Sequence, residues 1–124
     1  MSSFGEEKKD SIPHPTFSND WEMFKFDIDI HGEVKGYRSA LTSKHNLPED
    51  PNNITGSDEE KKLAKEASQK NNLAIVYLNY ALRKEKQLKA KIRLSANKAY
   101  PTGRAHVVMK ELAKKFESTD IAKS

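Results

Sequence analysis

The apolar positions of this chain fall into windows of helical period separated by polar, proline- or glycine-bearing stretches. Phe26, Ile30, Val34, Tyr37 and Leu41 recur three or four residues apart, the interval of one helix face. A shorter alternation, Phe24, Phe26, Ile28 and Ile30 against Lys25, Asp27 and Asp29, is strand-like. The helical face runs over the longer window, so length favours a helix. Any of Ser18, Asn19 and Asp20 can cap it, and Gly32 and Gly36 weaken or break it. Residues 42–57, with two prolines and a glycine, form a loop.

Ser57-Asp58-Glu59-Glu60 has the spacing of a capping box: hydroxyl and carboxylate satisfy each other's orphan amides, and three acids sit at the positive end of the helix dipole. Leu63, Ala67, Ala74, Leu78, Ala81 and Leu82 follow at helical spacing, and between Leu73 and Leu82 the apolar surface widens, the mark of a central helix. Asn71-Asn72 suggests a kink before that part. A further helix carries Leu88, Ile92, Ala96 and Ala99, with Lys84, Lys91 and Lys98 on one flank and Lys86, Lys89 and Arg93 on the other. Tyr100-Pro101-Thr102-Gly103 should end it, because Pro101 lacks a donor and disfavours helix at Tyr100. The last helix, from about Arg104, has Ala105, Val108, Met109, Leu112 and Phe116 as its seam.

These elements predict an all-α protein: a small helical bundle over residues 18–124, with a loop at about 42–57, preceded by a mobile, disordered arm over 1–17. Gly5, Pro13 and Pro15 leave that arm few apolar anchors. The expected core is Trp21, Phe24, Leu78, Leu82, Leu112 and Phe116, with Pro101 and Gly103 setting the angle between the last two helices.

Composition narrows the function classes. With 124 residues, 35% of them hydrophobic and 32% charged, the chain has room for one modest core. No apolar run approaches the ~18 residues of a membrane span. Without cysteine, a disulfide scaffold, a zinc knuckle and a thiol nucleophile are excluded. No apolar stretch of secretory type follows the first residues, so a cytoplasmic protein is expected. The net charge of +4 conceals two opposite halves: residues 1–60 hold 6 Lys/Arg against 13 Asp/Glu, and residues 61–124 hold 16 against 5. Such a chain can attract itself, its copies, or a polyanion through the basic half.

The pattern offers little for catalysis. His14, His31, His45 and His106 are scattered, and none lies four residues from another, so no metal site is expected. Asp27-Ile28-Asp29-Ile30-His31 would gather polar groups on one face of a strand, but on a helix the two acids diverge and face water. Gly32 and Gly36 belong to no phosphate loop, and no serine has a nucleophile-elbow context. The expectation is a protein that is not an enzyme, with no catalytic residues, no cofactor and no small-molecule substrate. Nucleic-acid binding fits better. Lys84, Lys86, Lys89, Lys91, Arg93, Lys98 and Arg104 could line a phosphate backbone, although lysines flanking an apolar stripe also lay their stems over a core. Any of the Leu73–Leu82 surface left uncovered would serve self-association.

Tyr100-Pro101-Thr102-Gly103-Arg104-Ala105-His106-Val107-Val108, followed by Leu112, Lys115-Phe116 and Asp120, resembles part of the Gag polyproteins of copia-type LTR retrotransposons. There an aromatic-Pro-x-Gly-x-Ala turn opens a helix ending in Leu, a basic residue and an aromatic. The resemblance extends to Trp21, Phe24 and Phe26 in a first helix, and to Asn72–Leu78 with Ala81-Leu82 in a long one. It covers roughly residues 18–120, with Tyr100 where the family usually carries Trp; the zinc knuckle and the enzymes of such polyproteins are not in this stretch. What the resemblance implies is a capsid-like all-helical domain that self-assembles into a particle shell, with RNA as a partner of its basic half. Oppositely charged halves would suit the repeated heterologous contacts of such a shell. The alternative is a monomeric, basic, helical module that binds nucleic acid in a host cell.

Overall fold

A computed structural model describes residues 13–44 and 46–123, with side chains described as far as Glu117. Among the described residues the structure is helical without strands: α1 (Trp21–Lys35), α2 (Arg38–Thr42), α3 (Asp58–Ala81), α4 (Lys86–Ser95) and α5 (Ala105–Lys123). None of these helices is long and apolar enough to cross a membrane.

Asp20 is the residue that caps α1, its carboxylate accepting from the Met23 amide at 3.0 Å. The expected helix to Leu41 is cut at Gly36, which takes a left-handed φ of 92°. Its N–H and that of Tyr37 both reach the Gly32 carbonyl, at 2.7 and 2.9 Å, closing the helix end with a residue that tolerates this backbone. The chain then resumes as the single turn of α2.

The buried face of α1 also differs from the expected one. Trp21, Phe24, Ile28, His31 and Gly32 point inward, whereas Phe26, Ile30 and Val34 remain exposed. His31 reaches the interior because its Nδ1 lies 2.7 Å from the buried Tyr37 hydroxyl.

The capping box of α3 is formed: Glu60 N–H donates to Ser57 Oγ at 3.2 Å and Ser57 N–H to Glu60 Oε1 at 3.1 Å. These bonds hold the Glu60 carboxyl below its usual range. The buried stripe of α3 runs Ala64, Ser68, Asn71, Ala74, Ile75, Leu78 and Ala81, so Asn71 belongs to it and the helix continues through the Asn pair unbroken. Against this stripe pack α2, α5 and α4, while α4 and α5 also pack on each other.

Of the segment expected as an arm, residues 1–12 lie outside the described residues. Residues 13–17, however, contribute to the bundle. Phe17 is buried, donates its N–H to the Ala81 carbonyl at 3.0 Å and sets its ring against Phe24 and Phe116. One fully buried side chain of this kind brings about 2 kcal/mol of hydrophobic stabilisation, so the domain begins before residue 18.

Candidate interaction surfaces and the corner that sets them

The corner between α4 and α5 is held from three directions. Gly103, buried with φ at 117°, sits where a Cβ would lie 2.8 Å from Ser95 Oγ and 3.0 Å from the Ile92 carbonyl. Asn71, from the middle of α3, donates through Nδ2 to the Gly103 carbonyl at 3.1 Å and accepts through Oδ1 from the Ala105 amide at 2.8 Å. It therefore caps α5 from another helix, using one of the orphan amides of that N-terminus. Tyr100 anchors the outer side. It is buried, its amide donates to Asn97 Oδ1 at 2.7 Å, and its hydroxyl donates to the Pro48 carbonyl in the long loop. Pro101 itself is exposed.

This arrangement corrects the extent of α4, which ends at Ser95 and not at Tyr100. Ser95 Oγ donates to the Ile92 carbonyl at 2.7 Å and accepts from the Arg104 amide at 2.9 Å. The Ser95 carbonyl, which a continuing helix would use, instead accepts from Arg104 Nε at 2.8 Å. Ala96 is consequently extended, and Ala96 and Ala99 lie beyond the helix. The basic rows are shortened with it. Lys86, Lys89, Lys91 and Arg93 belong to α4, Lys84 precedes it, Lys98 follows it, and Arg104 is engaged at the corner. Among the described residues, no ion pair uses a cation of α4.

The residues singled out as core occupy the interior: Trp21, Phe24, Leu78, Leu82, Ala105 and Leu112 are buried. Phe116 is half-buried, its ring stacked on Trp21 at 5.6 Å. The Trp21 indole N–H donates to Glu117 Oε2 at 2.8 Å and Lys25 Nζ lies 3.3 Å from the same oxygen, which keeps the Glu117 carboxyl low. The side chain of Asp120 lies outside the described residues.

Two further features had no clear signal in the sequence. Buried His31 and Tyr37 form an aromatic group with the half-buried Tyr77, and the His14 ring lies 5.4 Å from that of His31. His31 Nε2 has no hydrogen-bond partner among the described residues, and burial, followed by the charges of His14 and Lys35, lowers its pKa. Beside the corner lies an open cleft of ≈ 660 Å³ whose walls include Ile75, Val76, Ile92, Tyr100 and Pro101. Among the described residues, no carboxylate, imidazole or amine lines it, so its chemistry suits an apolar side chain better than proton transfer. Asp27, Asp29 and His31 do not converge either. Asp27 is exposed, Asp29 pairs with Arg38 at 2.8 Å, and His31 is turned inward.

The outer face of α1 is the least expected surface. Met23, Phe26, Ile30 and Val34 are 55%, 62%, 45% and 51% exposed, and their three- and four-residue spacing makes one continuous stripe. On the other side of the molecule's charge division, Leu94 of α4 is 74% exposed among cations. No protein-family model, curated protein or solved structure matches this chain.

Proposed function

We propose that this chain is a non-enzymatic, Gag-like structural protein whose copies associate into a capsid-like shell, with its basic half turned to RNA. The observation that carries this reading is the α1 stripe: four large apolar side chains in register on the outside of a bundle whose interior is already filled by the opposite face of the same helix. An apolar surface of that continuity is costly in water and marks a surface that meets another protein. The resemblance of the Tyr100–Val108 turn to copia-type Gag supports naming the partner as the chain itself. The corner adds a mechanical argument, because a shell needs subunits whose contact faces keep fixed angles, and Asn71, Ser95 and Arg104 hold α4 and α5 by hydrogen bonds across the bundle.

A second reading has its own support. The four cations of α4, unpaired with acids among the described residues, would suit a monomeric module that binds nucleic acid. Light scattering over a concentration series, with and without added RNA, separates the two. A shell protein gains mass with concentration and assembles more readily on RNA. A monomeric module keeps its mass and binds RNA with an affinity that falls steeply with salt.

A further inference from the structure

Two exposed helix faces carry apolar side chains between edges of opposite charge, acidic on α1 and basic on α4. On α1 the stripe Met23, Phe26, Ile30 and Val34 runs between acids, with Asp27 along one edge and Glu22, Asp29 and Glu33 along the other, as the 100° turn per residue dictates. Glu22 meets Lys25, which Glu117 also holds, Asp29 and Glu33 share Arg38, and Asp27 has no ion pair among the described residues; four acids against two cations leave the face negative. On α4 the inward residues are Leu88, Ile92 and Ser95. The outward face therefore carries Ala90 and Leu94 as an apolar line, between Lys86, Lys89 and Arg93 on one edge and Lys91 on the other. The α1 stripe spans about three helical turns, roughly 16 Å, and the shorter α4 line about one turn, roughly 6 Å, so α4 covers the middle of the stripe.

We infer that the acidic-edged apolar face of α1 docks on the basic-edged Leu94 face of α4 in a second copy of this chain. The inference rests on the self-assembly reading and specifies its contact. Leu94 supplies a knob for the hole between Phe26 and Ile30, and each edge of one helix brings charge opposite to the edge it meets. The two faces are different patches of one subunit, so the contact is heterologous: each copy uses its α1 on one neighbour and its α4 on another, and the contact propagates into rings or arrays. The same cations make RNA the competing occupant of α4, and in the assembled shell RNA is left to basic residues outside that helix, such as Lys61, Lys62 and Lys65.

Sedimentation velocity of the full chain and of two variants, Phe26→Asp and Leu94→Asp, tests the docking. Both positions are exposed, so the dilute variants should melt with the wild-type protein. Each variant alone should need at least about tenfold more protein to assemble. Mixed in equal amounts, each retains the face the other has lost, and the pair should form a dimer that grows no further. If Phe26→Asp abolishes assembly while Leu94→Asp assembles as wild type, α1 meets some other surface and the inference fails. It fails too if both assemble normally, an outcome that leaves the shell reading standing. If Leu94→Asp weakens binding of an RNA oligonucleotide without touching assembly, RNA is the occupant of α4 and the docking is wrong. If Phe26→Asp leaves assembly intact and lowers the melting temperature of the dilute monomer, the stripe is covered within its own chain. A wild-type protein that never assembles overturns the reading and the docking together.

Discussion

Asn71 reaches out of the middle of α3 to hold both sides of Gly103-Arg104-Ala105, donating to the Gly103 carbonyl and accepting from the Ala105 amide. One carboxamide thus joins the central helix to the start of the last one, from a position 1% exposed. Asn71→Ala removes both partners and leaves a buried carbonyl and a buried amide unsatisfied. The expected cost is about 3 kcal/mol, measurable by urea denaturation, with the loss shared by Asn71→Leu despite its fuller packing. An Asn71→Leu variant as stable as wild type would show that burial and not capping explains the residue.

Gly103 and Gly36 both have positive φ, yet they should respond differently to an added methyl group. At Gly36 a Cβ meets nothing within 4 Å, so Gly36→Ala costs only the left-handed strain, about 1 kcal/mol. At Gly103 the Cβ would also meet the Ile92 carbonyl at 3.0 Å and Ser95 Oγ at 2.8 Å. Gly103→Ala should cost about 3 kcal/mol, and Gly103→Val should displace α5 outright. Equal denaturation midpoints for the two alanine variants would contradict this.

Phe17 makes residues 13–17 part of the fold. Phe17→Ala empties a site bounded by Phe24 and Phe116 and should lower stability by about 3 kcal/mol. Hydrogen exchange offers an independent check, since the Phe17 amide, bonded to the Ala81 carbonyl, should be protected far beyond fraying.

Acid should weaken the bundle through its histidines. Burial lowers the pKa of His31, helped by His14 and Lys35, and burial with Arg104, Lys44 and Lys110 lowers that of His106. Around His31 the packed groups are Tyr37, Tyr77 and His14, and none is an acid that would favour the imidazolium. The unfolded chain therefore takes up protons first as pH falls. Stability should be complete above about pH 6.5 and decline below it, towards the lower folded-state values. Melting temperatures across pH 5 to 7.5 read this, and His31→Gln should flatten part of the slope while His106 keeps the rest. A melting temperature flat over that range would refute it.

How far the chain could be read in advance depended on whether a feature was local. The capping box needs only Ser57 and Glu60, three positions apart, and the α5 seam and the Ala74–Ala81 part of the α3 seam are as read. In the first half of α3, by contrast, Ala64 and Ser68 are buried and the expected Leu63 is exposed, because few apolar residues mark that half. In α1 two apolar faces share one helix, and hydrophobicity chose the wrong one. Phe26, Ile30 and Val34 look more like core than a face containing His31 and Gly32, until Tyr37 supplies the hydrogen bond that lets His31 be buried. The end of α4 was equally hidden, because Ser95 stops the helix by binding Arg104, nine residues later. Asn71 carried a faint signal: it lies at helical spacing between Ser68 and Ala74 on the buried stripe, where a polar residue calls for a buried partner.

The central claim is that this protein's partner is itself. Sedimentation equilibrium of the wild-type chain from micromolar to near-millimolar concentration, at low and high salt, addresses it directly. The account predicts a mass that climbs above 14.1 kDa with concentration and climbs less at high salt, where the charged edges of the contact are screened. A mass fixed at that of one chain throughout would contradict it.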